Sequence, residues 1–249
     1  MKIQDLMDTS GVRFGTSGAR GLVADMSASV CFAYTAAFLR VIAVPAGSRV
    51  ALGIDLRPSS PAIASACAAA IRHAGLEVDY GGPLPTPALA YYAQEQGIPA
   101  LVVTGSHIPF VRNGIKFYRP TGEITKADEA GIAAASVELP EQALSVPLPA
   151  LNPAIRSLYL GRYQSYFPAH SLAGMRLGFY EHSSVARDLL RELLESLGAE
   201  VSSLSAERMI SLPSTPKLSA RRISAKRDAG PRNWASTPSF PPMAMRTVP

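Results

Sequence analysis

Between Ser27 and Tyr118 short apolar runs alternate with longer segments of helical spacing, and that alternation leaves few architectures open. Ser27 to Val44 is apolar with no internal Pro or Gly, which predicts a core-facing helix. Arg49 to Asp55 reads as a short buried strand ending in the polar turn Asp55-Leu56-Arg57-Pro58-Ser59. Ser59 or Ser60 can cap the Ala-rich helix that runs to His73-Ala74-Gly75, with Pro61 in its first turn. Glu77 to Tyr80 follows as a strand, Gly81-Gly82-Pro83 as a turn, and Thr86 to Gln96 as a helix closed by Gly97. Such an order specifies an α/β chain, a three-layer mixed sheet with helices on both faces.

The stretch from Leu101 to Tyr118 concentrates the chemistry. An apolar run, Ala100 to Val103, stops at Thr104-Gly105-Ser106-His107, and a second apolar run, Ile115 to Tyr118, carries Lys116. Loops at the ends of parallel strands are where open α/β sheets place their reacting groups, so Ser106 is the candidate reacting atom. A hydrolase nucleophile elbow wants Gly two residues after the serine, where this chain has Ile108. His107 is adjacent in sequence, a spacing that more often marks a structural loop histidine than a base. Near the start, Arg13 to Gly21 packs three glycines and two hydroxyls, Thr16 and Ser17, around Arg20. Taken alone this run is most simply a strand-to-turn connection. Together, Arg20 and Lys116 as cations beside glycines, and Thr104 and Ser106 as hydroxyls flanking Gly105, suit the holding and moving of a phosphoryl group.

Composition excludes other classes. With 47% hydrophobic residues the chain can build a packed core. Cys31 and Cys67 lie far apart in apolar helical stretches and read as buried free thiols in a reducing cytosol. No segment has a signal-peptide layout or a membrane-length apolar run, so a cytoplasmic protein without a membrane partner is expected. The net charge of +5 raises the question of nucleic acid. Its distribution argues against that partner: Met1 to Leu204 carries sixteen basic against seventeen acidic residues, and Ser205 onward eight against two. Aromatic interleaving in the tail is limited to Trp234 and Phe240. Oligomeric state leaves no mark in the sequence.

Beyond the serine loop, Pro120 to Glu123 predicts a hairpin turn and Lys126 to Val137 a helix. Glu138 to Pro153 is rich in Pro and Ala without a period and reads as an interdomain linker. Ala154 to Phe167 is helical in pattern, Met175 to Tyr180 a strand, Ser183 or Ser184 the cap of a helix reaching Leu197-Gly198, and Glu200 to Ser203 another strand. The expected organisation is a first domain over 1–150, an incomplete second α/β domain of the same type over 151–204, and a disordered tail over 205–249.

Five motifs in this order resemble the N-terminal part of the α-D-phosphohexomutase superfamily, the phosphomannomutases and phosphoglucomutases. They are Phe14–Gly21 (F-G-T-S-G-A-R-G), Gly53–Ser59 (G-I-D-L-R-P-S), Gly82–Pro87 (G-P-L-P-T-P), Val103–Pro109 (V-T-G-S-H-I-P) and Asn113–Lys116 (N-G-I-K). The commoner serine loop of the family is T-A-S-H-N-P, from which Gly105 and Ile108 depart. The resemblance covers Met1 to about Leu204. It implies an intramolecular phosphotransferase that interconverts hexose 6-phosphate and hexose 1-phosphate, with Ser106 as a phosphoserine and a hexose 1,6-bisphosphate intermediate. By resemblance Arg20 helps hold the phosphoserine loop, Lys116 transfers a proton or stabilises charge, and His107 neighbours the transferred phosphate. Thr16, Ser17, Gly18, Thr104, Gly105 and Asn113 are the phosphate- or substrate-binding candidates. The family's Mg²⁺ is held by the phosphoserine and by three aspartates of a D-G-D-x-D-R loop, which this sequence does not contain.

The tail carries a trace of that loop. Codons for Met243-Ala244-Met245-Arg246, read in the frame beginning one base earlier, are compatible with D-G-D-A-D-R, and Ser214 to Ser219 can hide V-D-T-E-A-V. A frameshift near Ser203 to Ser214 is therefore expected, with the basic, Pro-rich tail as out-of-frame translation. A chain so truncated is expected to show negligible mutase turnover. The rival expectations are a non-catalytic fragment that binds sugar phosphate through the Arg20 and Ser106 loops, and a nucleic-acid binder through the tail.

Overall fold

The computed structural model describes residues 1–15, 18–141, 144–181 and 183–203. The expectations for the tail from 204 onward, the frameshift among them, fall outside those residues, as do Thr16 and Ser17. In chain order the elements are α1 (Ile3–Ser10), β1 (Arg13–Phe14), β2 (Gly18–Leu22), α2 (Ala28–Val41), β3 (Arg49–Ile54), α3 (Ser60–His73), β4 (Glu77–Pro83) and α4 (Thr86–Gln96). There follow β5 (Ala100–Val103), β6 (Arg112–Arg119), β7 (Gly122–Glu123), α5 (Lys126–Ala134), α6 (Pro153–Tyr166), β8 (Arg176–Phe179), α7 (Arg187–Ser196) and β9 (Glu200–Ser203).

The main sheet runs β1-β2-β6-β5-β3-β4, with β7 paired to β6. β3 lies parallel to both β4 and β5, whereas β5 meets β6, and β6 meets β2, antiparallel. The expected three-layer mixed sheet is therefore present. On one face the helices α1, α2, α3 and α5 enclose a core that includes Ile3, Tyr34, Phe38, Ile71, Phe117 and Ile132. On the other, α4 and the start of α6 cover Ala51, Ala100, Val102 and Tyr118 through Leu89, Tyr92 and Ile155. A strand covered on both faces must be apolar throughout, and β5 (A-L-V-V) is buried at every position.

Two local expectations are corrected. Gly81-Gly82-Pro83 is no turn: β4 continues to Pro83, and its register against β3 slips after Leu52 so that Gly82 faces Gly53. Gly82 has φ 69°, a conformation that glycine adopts without a Cβ penalty, and the slip is a bulge that prolongs the strand. The α5 helix stops at Ala134, short of Val137. Within the expected linker, Leu139, Leu144 and Val146 pack on Phe32, Ala69 and Ala70, and Val146 exchanges hydrogen bonds with Ser65. Asn152 ends it in a buried polar knot. Its Nδ2 donates to Asp79 Oδ1 at 2.7 Å while its Oδ1 accepts the N–H of Ala154 and caps α6. Asp79 Oδ2 in turn accepts from Tyr92 and Arg49. Asn152→Ala is expected to cost about 1–2 kcal/mol, a lost cap plus a bond to a buried carboxylate, read as a lower urea midpoint.

Cys31 and Cys67 are free and buried between α2 and α3. Burial pushes the Cys67 thiol up to about 12, only partly offset by a bond to Thr35, and also raises Cys31, with Cys67 adding to the effect. A thiol raised above its unfolded value of about 8.5 contributes fully below that pH and loses its contribution as pH climbs through the folded value. Stability should thus hold through neutral pH and fall above about pH 9 by up to about 1.4 kcal/mol per pH unit for each thiol. Urea midpoints that stay constant up to about pH 10.5 would contradict this.

Past α6 the β8-α7-β9 unit begins a second α/β alternation, its strands parallel and its Leu189, Leu193 and Leu197 packed with Leu160 of α6. The helix starts at Arg187 with Ala186 before it, so neither Ser183 nor Ser184 takes the expected cap position, and Ser184 Oγ instead accepts the N–H of Ala186.

Candidate active site

The serine loop joins β5 to β6. Thr104 keeps the ladder going by donating its N–H to Gly114 O at 2.9 Å, and its Oγ1 accepts the N–H of Ser106 at 3.0 Å, a local turn of the kind Thr favours. Gly105 N–H donates to Asp55 Oδ2 at 2.9 Å. Ser106 then takes φ 48°, a left-handed conformation rare for a residue with a Cβ, and exposes its hydroxyl to solvent. Strained backbone of this kind gathers at sites of chemistry. His107 is also exposed, its Nδ1 3.3 Å from Ser106 Oγ, so sequence neighbours do come within hydrogen-bond reach here.

Beneath the loop lies a residue that the sequence did not mark as part of the site. Arg57, only 6% exposed, donates Nη1 to the carbonyls of Pro109 and Arg112 at 3.0 and 2.9 Å. Its Nη2 donates to those of Ile108 and Ser106 at 2.7 and 3.4 Å, and its Nε faces Asp55 Oδ2 at 3.4 Å. Burial pulls the guanidinium's pKa down, and Asp55 pulls it back. A Cβ on Gly105 would stand 2.1 Å from Arg57 Nε, so the alanine of the commoner family loop would oblige the guanidinium to shift. Asp55 completes the support by accepting Arg57 N–H and Ser60 Oγ through Oδ1. Its position in the polar turn after a parallel strand was the available signal.

Arg20 on β2 stands opposite Gly114 on β6. Its side chain runs in a slot between glycines: a Cβ on Gly15 would meet Arg20 Cδ at 3.1 Å, and one on Gly114 would meet Arg20 Cγ at 2.9 Å and Thr104 O at 3.4 Å. By the period of two along paired strands, Arg20, Thr104 and Lys116 share the α4 face of the sheet. Lys116 is ion-paired with Glu123 at 3.6 Å, and Tyr118 OH donates to the same carboxylate oxygen at 3.1 Å. Gly18 pairs with Lys116, and a Cβ on it would lie 2.2 Å from Ile115 O. Asn113 is fully buried; its Nδ2 donates to Ser59 and Ser60 hydroxyls, and its Oδ1 accepts Gly114 N–H.

The donor set does not by itself make a Mg²⁺ site. Asp55 is engaged by Gly105, Arg57 and Ser60, and no group of three His, Cys, Asp or Glu side chains suited to a metal occurs among the described residues. Nor is any described helix long and apolar enough to cross a membrane.

Sheet, clamp and loop define an α/β domain that presents a serine hydroxyl at the end of a parallel strand, its loop held by the Arg57 guanidinium. Residues 11–142 match the family model of phosphoglucomutase/phosphomannomutase, alpha/beta/alpha domain I, and the chain belongs to that family. Among its relatives, a phosphomannomutase of Salmonella muenchen is 49% identical over 202 residues, covering 81% of this chain and 42% of that protein. One from Sinorhizobium fredii is 46% identical over 77% of this chain and 42% of its own length. A phosphoglucosamine mutase of Aliivibrio fischeri is 32% identical over 78% and 45%. A phosphoglucomutase/phosphomannomutase family protein from Burkholderia thailandensis shares the fold at TM-score 0.61 and 24% identity, over 75% of this chain and 42% of that one. The chain thus spans less than half the length of these relatives.

Proposed function

We propose that the chain carries the phosphoserine half of a phosphohexomutase acting on a hexose phosphate in the cytoplasm. The observation that carries this is Ser106 itself, solvent-facing and left-handed in a loop clamped from below, in a chain of the mutase family. In the reaction the phosphorylated Ser106 gives its phosphoryl group to the free hydroxyl of a hexose monophosphate. The resulting 1,6-bisphosphate returns its other phosphate to Ser106 Oγ, whose proton leaves as the new P–O bond forms.

Arg20, beside the loop, would balance the phosphate's charge of about −1.5 to −2. His107 Nδ1, 3.3 Å from Oγ, is placed to accept or return the hydroxyl proton. Lys116 would supply a second cation once released from Glu123. Mg²⁺ would bind through the phosphoserine and supply charge stabilisation there, and the family's aspartate loop is not in this sequence. The 249-residue chain is proposed to take phosphate on Ser106 slowly and to turn over negligibly, because both transfers call for the same charge stabilisation.

Incubation with glucose or mannose 1,6-bisphosphate, followed by mass mapping, should place one phosphate on Ser106. A coupled assay with the 1-phosphates and Mg²⁺ should show negligible turnover. Ordinary turnover would refute the second statement, and an unlabelled Ser106 the first. A second reading, sugar-phosphate binding without chemistry, is favoured by Lys116, whose ammonium is held by Glu123 and not left free for the site. It predicts calorimetric binding of hexose phosphates with no label on Ser106.

A further inference from the structure

We infer that Arg57 is a positioning residue for the reaction at Ser106, setting the nucleophile's backbone through the four carbonyls it clamps. The inference rests on the proposed function, but its basis is geometric. Ser106, Ile108, Pro109 and Arg112 contribute carbonyls to a single guanidinium, and they span the whole connection from the nucleophile to the first residue of β6. Guanidinium is the side chain suited to this task, because its planar fork offers donors in fixed directions where an ammonium is a point charge. The clamp is itself braced, since Asp55 faces Arg57 Nε and also takes the N–H of Gly105, the residue before the nucleophile. Asp55 is held in turn by Ser60 at the start of α3, and Ser60 by Asn113 at the start of β6. The left-handed Ser106 is therefore over-determined from both sides, as a strained functional residue must be. Arg57 touches the loop and not the phosphoryl group, so it acts through Ser106.

The test compares the full chain with Arg57→Lys, which keeps the charge for Asp55 but loses the fork. Asp55→Asn serves as a milder variant should the lysine protein fail to fold. Phosphate uptake on Ser106 is followed against the concentration of hexose 1,6-bisphosphate. The saturating rate should fall about a hundredfold with Arg57→Lys and about tenfold with Asp55→Asn, the scale expected for a misplacement of about 1 Å. The half-saturating concentration should change little, while the melting temperature should fall with Arg57→Lys because buried carbonyls lose their donors. A wild-type saturating rate, or a loss confined to half-saturation, overturns the inference.

If the wild-type chain takes no phosphate, the proposed function fails, and the positioning role is decided in a Ser106→Cys background. Cys31 and Cys67 are buried, so iodoacetamide reads the new thiol alone. A pH profile of alkylation that shifts when Arg57→Lys is added supports the clamp, and identical profiles overturn it.

Discussion

Ser106→Ala should leave the fold unchanged and lower phosphate uptake from hexose 1,6-bisphosphate by at least about a thousandfold, the scale on which removal of a nucleophile acts. The hydroxyl is exposed and contributes nothing to either core, so melting should move little. Ser106→Gly should be equally inert to phosphate yet stabilise the chain, on the order of 1 kcal/mol, because glycine carries no Cβ penalty at φ 48°. Gain of stability with loss of chemistry at one position is what strain held for function predicts. Label retained in Ser106→Ala, at another hydroxyl of the loop, would remove Ser106 from its role.

Gly18→Ala carries the largest expected cost to the fold. The added Cβ would stand 2.2 Å from Ile115 O and 2.8 Å from Lys116 Cα, backbone atoms in the middle of the sheet that cannot swing aside. Either β2 lifts from β6 or the ladder opens, and about 3 kcal/mol or more is expected, the upper range of overpacking. A urea midpoint corresponding to less than about 1 kcal/mol of loss would show that β2 is not held at this distance. Because Arg20 lies two residues further along the same strand, the variant should also loosen the arginine from its slot between Gly15 and Gly114. This glycine thus has a sufficient cause in packing, whatever the loop around it binds.

The sheet-and-helix order was legible because each element has its own period. β3 is apolar at five successive positions, and α4 ends on a left-handed Gly97, the C-cap residue the sequence announces. The first helix, α1, was not read, although Ile3, Leu6 and Met7 have helical spacing and Gly11 at φ 70° closes it. Eight residues give too short a pattern to stand out. The glycine pair in β4 looked like a turn because nothing local distinguishes a bulge from a reversal; the parallel neighbour β3 decides it. In the site, Ser106 and Arg20 were visible as unusual residues in polar loops. Arg57 was not, since its meaning lies in partners 49 to 55 residues away, a distance over which a single sequence carries no period. The Lys116–Glu123 pair was hidden for another reason: Glu123 faces Tyr118, and Lys116 reaches it diagonally from two residues earlier, a placement set by a register that the strand limits alone do not fix.

That β6 runs antiparallel to β5 restricts how such a loop can vary. Val103 faces Ile115, so both ends of the intervening segment are pinned in one ladder. A one-residue change between them must be absorbed within the loop, because slipping the strand instead would carry the Lys116 side chain to the face that holds Phe117. Loop length is consequently limited by the buried guanidinium, whose four carbonyls an inserted residue would have to leave in place.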